Sequence, residues 1–356
     1  MGTFPKLLGN FSSKEVMPAM GPTIHDVARL ANTSKSTVSR YLNGQKVKKE
    51  TQDALEKAIR ELNFHRNANA RRLVMDKTNT IGVVVDNISN IFYSGIIRGI
   101  EQVAGKKGYS CIFYSWTSNY EKEISFLNLL YEGQLDGIIL VSFQKRDIED
   151  LLAIKLAEYP VVIVGDHGEM DGVFSVDVDN SAGVADMVRY LHQLGHKEIA
   201  YIAGPDHAAA NKYRLKGYRL AMEEQGLATK QDWIVQSDWS NQGGYLSMKK
   251  LLKTPGFTAV VASNDETAIG AMRALQEHGV LVPKQLSIVG FDDITLSEWI
   301  FPSLTTVRQP FLEIGMKAAE GLFHKIEDDD SADPQWSRHH LLKPQLVIRD
   351  SCGKLT

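Results

Sequence analysis

Thr23-Ile-His-Asp-Val-Ala-Arg-Leu-Ala-Asn-Thr-Ser-Lys-Ser-Thr-Val-Ser-Arg-Tyr-Leu-Asn43-Gly44 reads as two short helices around a tight polar turn. Thr23 is placed to cap the first helix, with Asp26 near its positive end and Ile24, Val27, Ala28 and Ala31 as its apolar face. Asn32 and Thr33 turn the chain, Ser34 caps a second helix that runs to Leu42, and Asn43-Gly44 stops it. A third helix is expected at about Thr51 to Asn63, where Ala54, Leu55, Ala58, Ile59 and Leu62 share one stripe. Three short helices around one small core leave the second free to present polar residues, the geometry of a helix-turn-helix. Lys35, Ser36 and Arg40 lie opposite Val38 and Leu42, where they can reach base edges in a major groove. Ser34, Thr37 and Ser39, with Thr23 and Asn43 at the two ends of the motif, are the further candidates for DNA contact, the hydroxyls suiting phosphate.

The charge is distributed to match. A net charge of −3 conceals 14 lysines and arginines against 7 carboxylates through Lys77, and 26 against 36 beyond it. A basic head joined to an acidic body suits a small unit that approaches polyphosphate and a larger one that does not. With 356 residues the chain exceeds what one core usually serves. The two cysteines, Cys111 and Cys352, stand without metal-ligand spacing, which fits a reducing compartment and argues against a zinc site or a disulfide framework. Neither a secretory signal nor a run of transmembrane length is read, so a cytoplasmic protein without a membrane partner is expected.

From Ile81 onward short β-branched runs alternate with helical patterns, as in parallel, doubly wound sheets. One series of strands is expected at Ile81 to Asp86, Cys111 to Ser115, Gly137 to Ser142 and Val161 to Asp166. A second is expected at Ile199 to Gly204, Ile234 to Ser237, Ala259 to Asn264 and Ser287 to Phe291. Helices fit near Ala182 to Leu194, Arg214 to Gln225, Gln242 to Leu252 and Glu266 to His278. The fold class is therefore an all-α helix-turn-helix headpiece followed by two α/β lobes. Ligands of open parallel sheets bind outside the carboxyl ends of the strands, which singles out Asp166, Asn264 and Asp292. Asn264 and Asp292 offer an amide and a carboxylate to hydroxyl groups, and Trp239 offers an apolar face to a sugar ring. Asp265 is read as the cap of the helix that follows it.

Asp26-Val-Ala-Arg-Leu-Ala31, Ser36-Thr-Val-Ser-Arg40 and Asn43-Gly44 resemble the lactose repressor/galactose repressor (LacI/GalR) family. The resemblance continues through Ile81-Gly-Val-Val-Val-Asp86, Asn90-Ile-Phe92, Leu194-Gly-His196, Ala203-Gly-Pro205, Ser263-Asn-Asp-Glu-Thr-Ala268, Val289-Gly-Phe-Asp-Asp293 and Leu304-Thr-Thr306. It implies a two-lobed sensor like the periplasmic binding proteins and a homodimer on a pseudo-palindromic operator, each headpiece reading one half-site. It also implies a small-molecule effector, a sugar or sugar phosphate, bound between the lobes, with Arg214, ahead of a helical segment, bridging the effector's polar groups. Asn67-Ala-Asn-Ala-Arg-Arg-Leu73 is long enough for two helical turns, too few to be stable alone. The family places here a hinge helix that orders on DNA, with Asn67 and Ala70 at hinge positions and Leu73 as a wedge in the minor groove. Arg66 stands where many relatives have proline, which leaves the entry to the hinge less defined.

The expected organisation is a disordered leader at 1–21, a headpiece at 22–65, a hinge and linker at 66–78, and an effector-binding and dimerisation domain at 79–356. Met17 or Met20 is an alternative start. No phosphate loop, dinucleotide fingerprint, zinc-protease or nucleophile-elbow motif occurs, so no enzyme activity, cofactor or metal is expected. His196 lacks a catalytic companion and is read as structural, and Asp328, Asp329 and Asp330 as a solvated loop. A corepressor or a phosphoprotein partner as the signal, or a solute-binding receptor, are the alternatives.

Overall fold

The computed structural model describes residues 22–42, 44–64, 77–115, 128–141, 159–165, 173–254, 256–327 and 339–355. The chain forms two compact units, Met1–Lys77 and Thr78–Thr356.

In the first unit helices α1 (Ile24–Leu30), α2 (Lys35–Leu42) and α3 (Lys49–Glu61) enclose Val27, Ala28, Ala31, Val38, Leu55 and Ala58. The Thr23 backbone N–H and hydroxyl both donate to Asp26, at 2.9 and 2.8 Å. Ser34 Oγ accepts from the Thr37 amide at 3.1 Å, so both expected caps are present. The third helix starts and ends two residues early. Asn63 takes a left-handed φ of 46°, and the Phe64 amide returns to the Ile59 carbonyl at 3.0 Å, closing the helix.

Among the described residues the second unit holds two six-stranded sheets. The first has the order β11-β5-β4-β3-β1-β2, from β1 (Thr80–Val85), β2 (Ser110–Ser115), β3 (Gly137–Val141), β4 (Val161–Val164), β5 (Phe174–Val178) and β11 (His339–Leu342). The second has the order β12-β10-β9-β8-β6-β7, from β6 (Ile199–Ala203), β7 (Ile234–Gln236), β8 (Ala259–Ala262), β9 (Ser287–Asp292), β10 (Thr305–Arg308) and β12 (Gln345–Val347). Among the described residues only the β10–β12 pair is antiparallel. The strands near the middle of each sheet, such as Gly137–Val141 and Ala259–Ala262, are buried at every residue. Their continuous apolar runs therefore reflect helices on both faces rather than a wet side.

Between these strands run α4 (Ser94–Lys106), α5 (Asn180–Gln193), α6 (Ala209–Glu224), α7 (Asn241–Leu251), α8 (Asp265–Glu277), α9 (Leu296–Trp299) and α10 (Phe311–Ile326). Helices α4 and α10 cover one face of the first sheet, with Ile96, Ile100, Ile314 and Leu322 in a shared core. They meet through glycines. A Cβ on Gly99 would lie 2.3 Å from the Leu312 carbonyl oxygen, and one on Gly315 would lie 2.0 Å from that of Ile96.

Strands β5, β10, β11 and β12 and helix α10 were not expected from the sequence. The chain passes from the first sheet to the second after Val178, returns after Arg308, and crosses again between Leu342 and Gln345. The lobes are thus not consecutive segments: α10 (Phe311–Ile326) and β11 (His339–Leu342) belong to the first lobe and β12 (Gln345–Val347) again to the second. Several expected strands also stop one or two residues early, leaving Asp86, Gly204, Ser237 and Asn264 in the turns beyond them. Ser142 and Asp166, the expected ends of β3 and β4, lie outside the described residues.

Candidate functional site

On α2, Lys35, Ser36 and Arg40 are exposed while Val38 is fully buried. This is the division expected of a helix that docks by one side. Ser34 Oγ lies 2.7 Å from Ser36 Oγ and 2.8 Å from Thr37 Oγ1, so the hydroxyls at the helix start form one polar patch. Thr37 and Ser39 are half-buried. Tyr41 donates to Glu56 at 3.1 Å and Gln52 donates to it at 2.9 Å, fixing α2 against α3. Asn43, Asn67, Ala70 and Leu73 lie outside the described residues.

In the second unit a cavity of about 480 Å³ opens between the sheets, lined from the first lobe by Asp86, Asn90, Phe92 and Tyr93 and from the second by Arg214, Trp239, Asn264 and Asp292. Four of the five effector candidates are thereby brought together; the fifth, Asp166, is outside the described residues. Arg214 lies inside α6 rather than ahead of it, because the helix begins at Ala209. The earlier start carries the guanidinium into the cleft from the second turn.

Arg214 is 5% exposed and its donors point three ways. Nε donates to Asn180 Oδ1 at 2.8 Å and one terminal nitrogen to the Ser263 carbonyl at 2.6 Å. The other faces Asp292 Oδ1 at 3.5 Å, long for a hydrogen bond. The guanidinium also stacks 3.9 Å from the centre of the Phe291 ring. Gln309 Nε2 donates to the same Asp292 oxygen at 2.7 Å. Burial pushes the Asp292 carboxyl up to about 7 against the pull of Arg214, and Asp265 adds to the rise.

Trp239 and Asp292 both have positive φ, 66° and 125°, conformations that cost non-glycine residues energy and persist only where neighbours hold them. The indole N–H of Trp239 donates to Ser263 Oγ at 3.1 Å. Its carbonyl accepts from Asn264 Nδ2 at 3.0 Å. A Cβ on Gly204 would fall 2.0 Å from the indole nitrogen, so glycine is what lets the ring lie there. Asn264 Oδ1 accepts from the Thr267 amide at 3.0 Å, so Asn264 is the cap of α8. The expectation that Asp265 would cap this helix is corrected. Asp265 is fully buried and accepts from the Ile294 amide and the Ser297 hydroxyl, at 3.0 and 2.6 Å, and from Thr306 at 2.5 Å. It ties the start of α8 to β10 and to the segment that leads into α9.

Asn180 and Gln309 escaped the sequence reading because they follow β5 and β10, the strands that went unread. Asn90, Asp177, Ser237, Asp238 and Glu266 also line the cavity. Asn90 stands in a stretch already noted as Asn90-Ile-Phe92, whose cap at a short 3₁₀ turn, accepting from Phe92 at 2.9 Å, was the available signal. His196 is buried between Thr258 Oγ1 (2.9 Å), Ser287 Oγ (2.9 Å) and the Gly353 carbonyl (3.0 Å). It pins the last turns of the chain to the second sheet, and burial lowers its pKa. Among the described residues no helix is long and apolar enough to cross a membrane, and no group of His, Cys, Asp and Glu is arranged to hold a metal.

A helix-turn-helix unit with an exposed basic face, and a two-lobed sensor with a polar cleft, define a DNA-binding transcriptional regulator with an effector domain. The family model "Bacterial regulatory proteins, lacI family" matches residues 23–67, and "Periplasmic binding protein-like domain" matches 188–352. The chain is 34% identical over 339 residues to the HTH-type transcriptional repressor PurR of Vibrio campbellii, across 94% of this chain and 99% of that one. It is 37% identical to catabolite control protein A of Priestia megaterium, across 88% and 95%. The lac repressor dimer bound to operator and the anti-inducer ONPF superposes with a TM-score of 0.83 at 27% identity, covering 94% and 99%. A transcriptional regulator CelR–cellobiose complex superposes with a TM-score of 0.71 at 30% identity, covering 93% and 99%. The chain belongs to the LacI/GalR family of bacterial transcriptional regulators.

Proposed function

We propose that the protein is a cytoplasmic, non-enzymatic repressor of carbohydrate-utilisation genes, bound as a homodimer to a pseudo-palindromic operator and released by a sugar. The observation that carries the reading is the Arg214–Asp292 pair. Its two members are held by Asn180 and Gln309, which sit where the chain crosses between the lobes. A ligand that engages the pair acts on the crossovers. An effector that prefers one lobe arrangement by about 1–3 kcal/mol would change operator affinity roughly 5- to 150-fold.

In this reading Lys35, Ser36 and Arg40 meet base edges, and Thr23, Ser34, Thr37, Ser39 and Asn43 meet the backbone or flank it. Asn67 and Ala70 shape the hinge of 66–78 and Leu73 wedges the minor groove. Asp166, Arg214, Trp239, Asn264 and Asp292 hold the effector. Residues 1–21 precede the headpiece of 22–65, and 79–356 carries sensing and dimerisation. Trp299 and Phe301, 78% and 98% exposed, with Leu281 at 55%, give the second lobe apolar surface to bury against a second copy.

The test is release of a fluorescent operator duplex on titration with neutral pentoses, hexoses and disaccharides, followed by anisotropy. Release by one sugar with a saturating dose response is expected. Tight operator binding that no sugar or sugar phosphate alters would remove the carbohydrate assignment and leave the DNA-binding one.

A further inference from the structure

We infer that the cleft discriminates by charge: its effector is an uncharged, hydroxyl-bearing molecule, and the phosphate ester of that same molecule is excluded. The inference rests on the reading of the cleft as the effector site and narrows it. Five carboxyl side chains line the cavity, from Asp86, Asp177, Asp238, Glu266 and Asp292, the last partly protonated near neutral pH. Among the described residues, Arg214 is the only lysine or arginine in the lining, and His207 adds an imidazole. The Nε and one terminal nitrogen of Arg214 are committed to Asn180 and Ser263, and the other faces Asp292 at 3.5 Å. A buried phosphate needs cations or free N–H groups dedicated to it, and without them its desolvation is uncompensated.

One feature pulls the other way. The start of α6 lines the cavity, and Ala208 at its N-cap supplies no side-chain cap, so the first amides of a 16-residue helix stand uncapped at the cavity wall. A helix terminus carries roughly half a positive charge, too little to offset the carboxylates around it. Those amides are instead donors for a hydroxyl oxygen. Ser237 Oγ, in a side chain 8% exposed, has no protein partner among the described residues and lines the same cavity. The walls thus mix donors with a surplus of acceptors. A hydroxyl, which both donates and accepts, satisfies such a wall; a phosphate, which near neutral pH chiefly accepts, does not. Trp239, Phe92 and Tyr93 add apolar faces to the same lining, surfaces suited to the C–H face of a ring.

The experiment measures binding to the full-length protein near neutral pH, by isothermal titration calorimetry and by melting temperature. Matched pairs are used: ribose and ribose 5-phosphate, glucose and glucose 6-phosphate, galactose and galacturonate. Inorganic phosphate is tested alone. The inference expects the tightest binder to be neutral, its anionic partner weaker by about 100-fold, and millimolar inorganic phosphate without effect. In Glu266→Gln the gap should narrow by about tenfold, since a like charge is removed while the shape is kept. An ester or uronate that binds better than its parent, inorganic phosphate that saturates the cleft, or a gap that Glu266→Gln leaves unchanged would overturn the inference. If no carbohydrate binds but an uncharged molecule of another class does, charge selection stands and the sugar reading falls.

Discussion

Arg214 combines a buried charge with three directed donors, and each property predicts a different mutant. Arg214→Ala leaves Asn180 Oδ1 and the Ser263 carbonyl buried without their donor, while Asp292 answers by holding its proton more firmly; the unpaired acceptors should destabilise the sensor by about 1–3 kcal/mol each, read by denaturant unfolding. Arg214→Lys keeps the charge but loses the planar fork that joins Asn180 to Asp292. It should remain folded and bind operator, while losing the response to effector. Asp292 also makes stability depend on pH. The folded chain holds its proton to about pH 7, whereas an unfolded chain releases it near 3.8. Asp292 therefore lowers stability progressively as pH rises across that window and adds no further slope above it. Asp265, raised to about 6 chiefly by burial, acts in the same direction over a narrower range. Melting curves from pH 4 to 8 should show a shallower loss for Asp292→Asn than for the parent; parallel curves would contradict the buried-proton account. Asn264 and Asp292 were legible because residue type and position at strand ends coincide, Trp239 from its aromatic face, and Arg214 through the family resemblance. Asn180 and Gln309 were not, since an amide beside a turn looks ordinary until the crossover that places it is known.

At the scale of elements, local signals were read more faithfully than long-range ones. The headpiece is written in caps and turns within about forty residues, so its three helices were visible. Ser34 supplies one of those caps, and Ser34→Ala should cost about 1 kcal/mol of headpiece stability. The inner strands announced themselves as β-branched runs. Helix α10 did not, because its apolar face serves a sheet formed more than a hundred residues earlier, and no local pattern says which lobe a helix will cover. The short strands β11 and β12 carry half-buried and exposed residues, none fully buried, and show little periodicity. The contact of α4 with α10 depends on two glycines. Gly99→Ala would place a methyl against the Leu312 carbonyl, which backbone cannot yield cheaply. A loss of about 1–3 kcal/mol in first-lobe stability is expected, with the headpiece unaffected when hydrogen exchange is followed region by region.

For the whole molecule, the sequence placed a basic unit ahead of an acidic one, and the structure separates the chain at Lys77, where that count changes sign. Repulsion between the acidic sensor and DNA leaves the headpiece as the contact surface, so operator affinity should fall steeply with salt. Arg40→Ala should weaken binding by about 1–3 kcal/mol and relax the preference at one position of each half-site. The central claim is that this chain reads DNA sequence through paired headpieces. The most direct measurement is selection of bound duplexes from a random pool by the full-length protein, with and without a mixture of neutral sugars, followed by sequencing. An enriched inverted repeat is expected, its recovery falling when the effector is present. A pool that stays uniform under both conditions would contradict it.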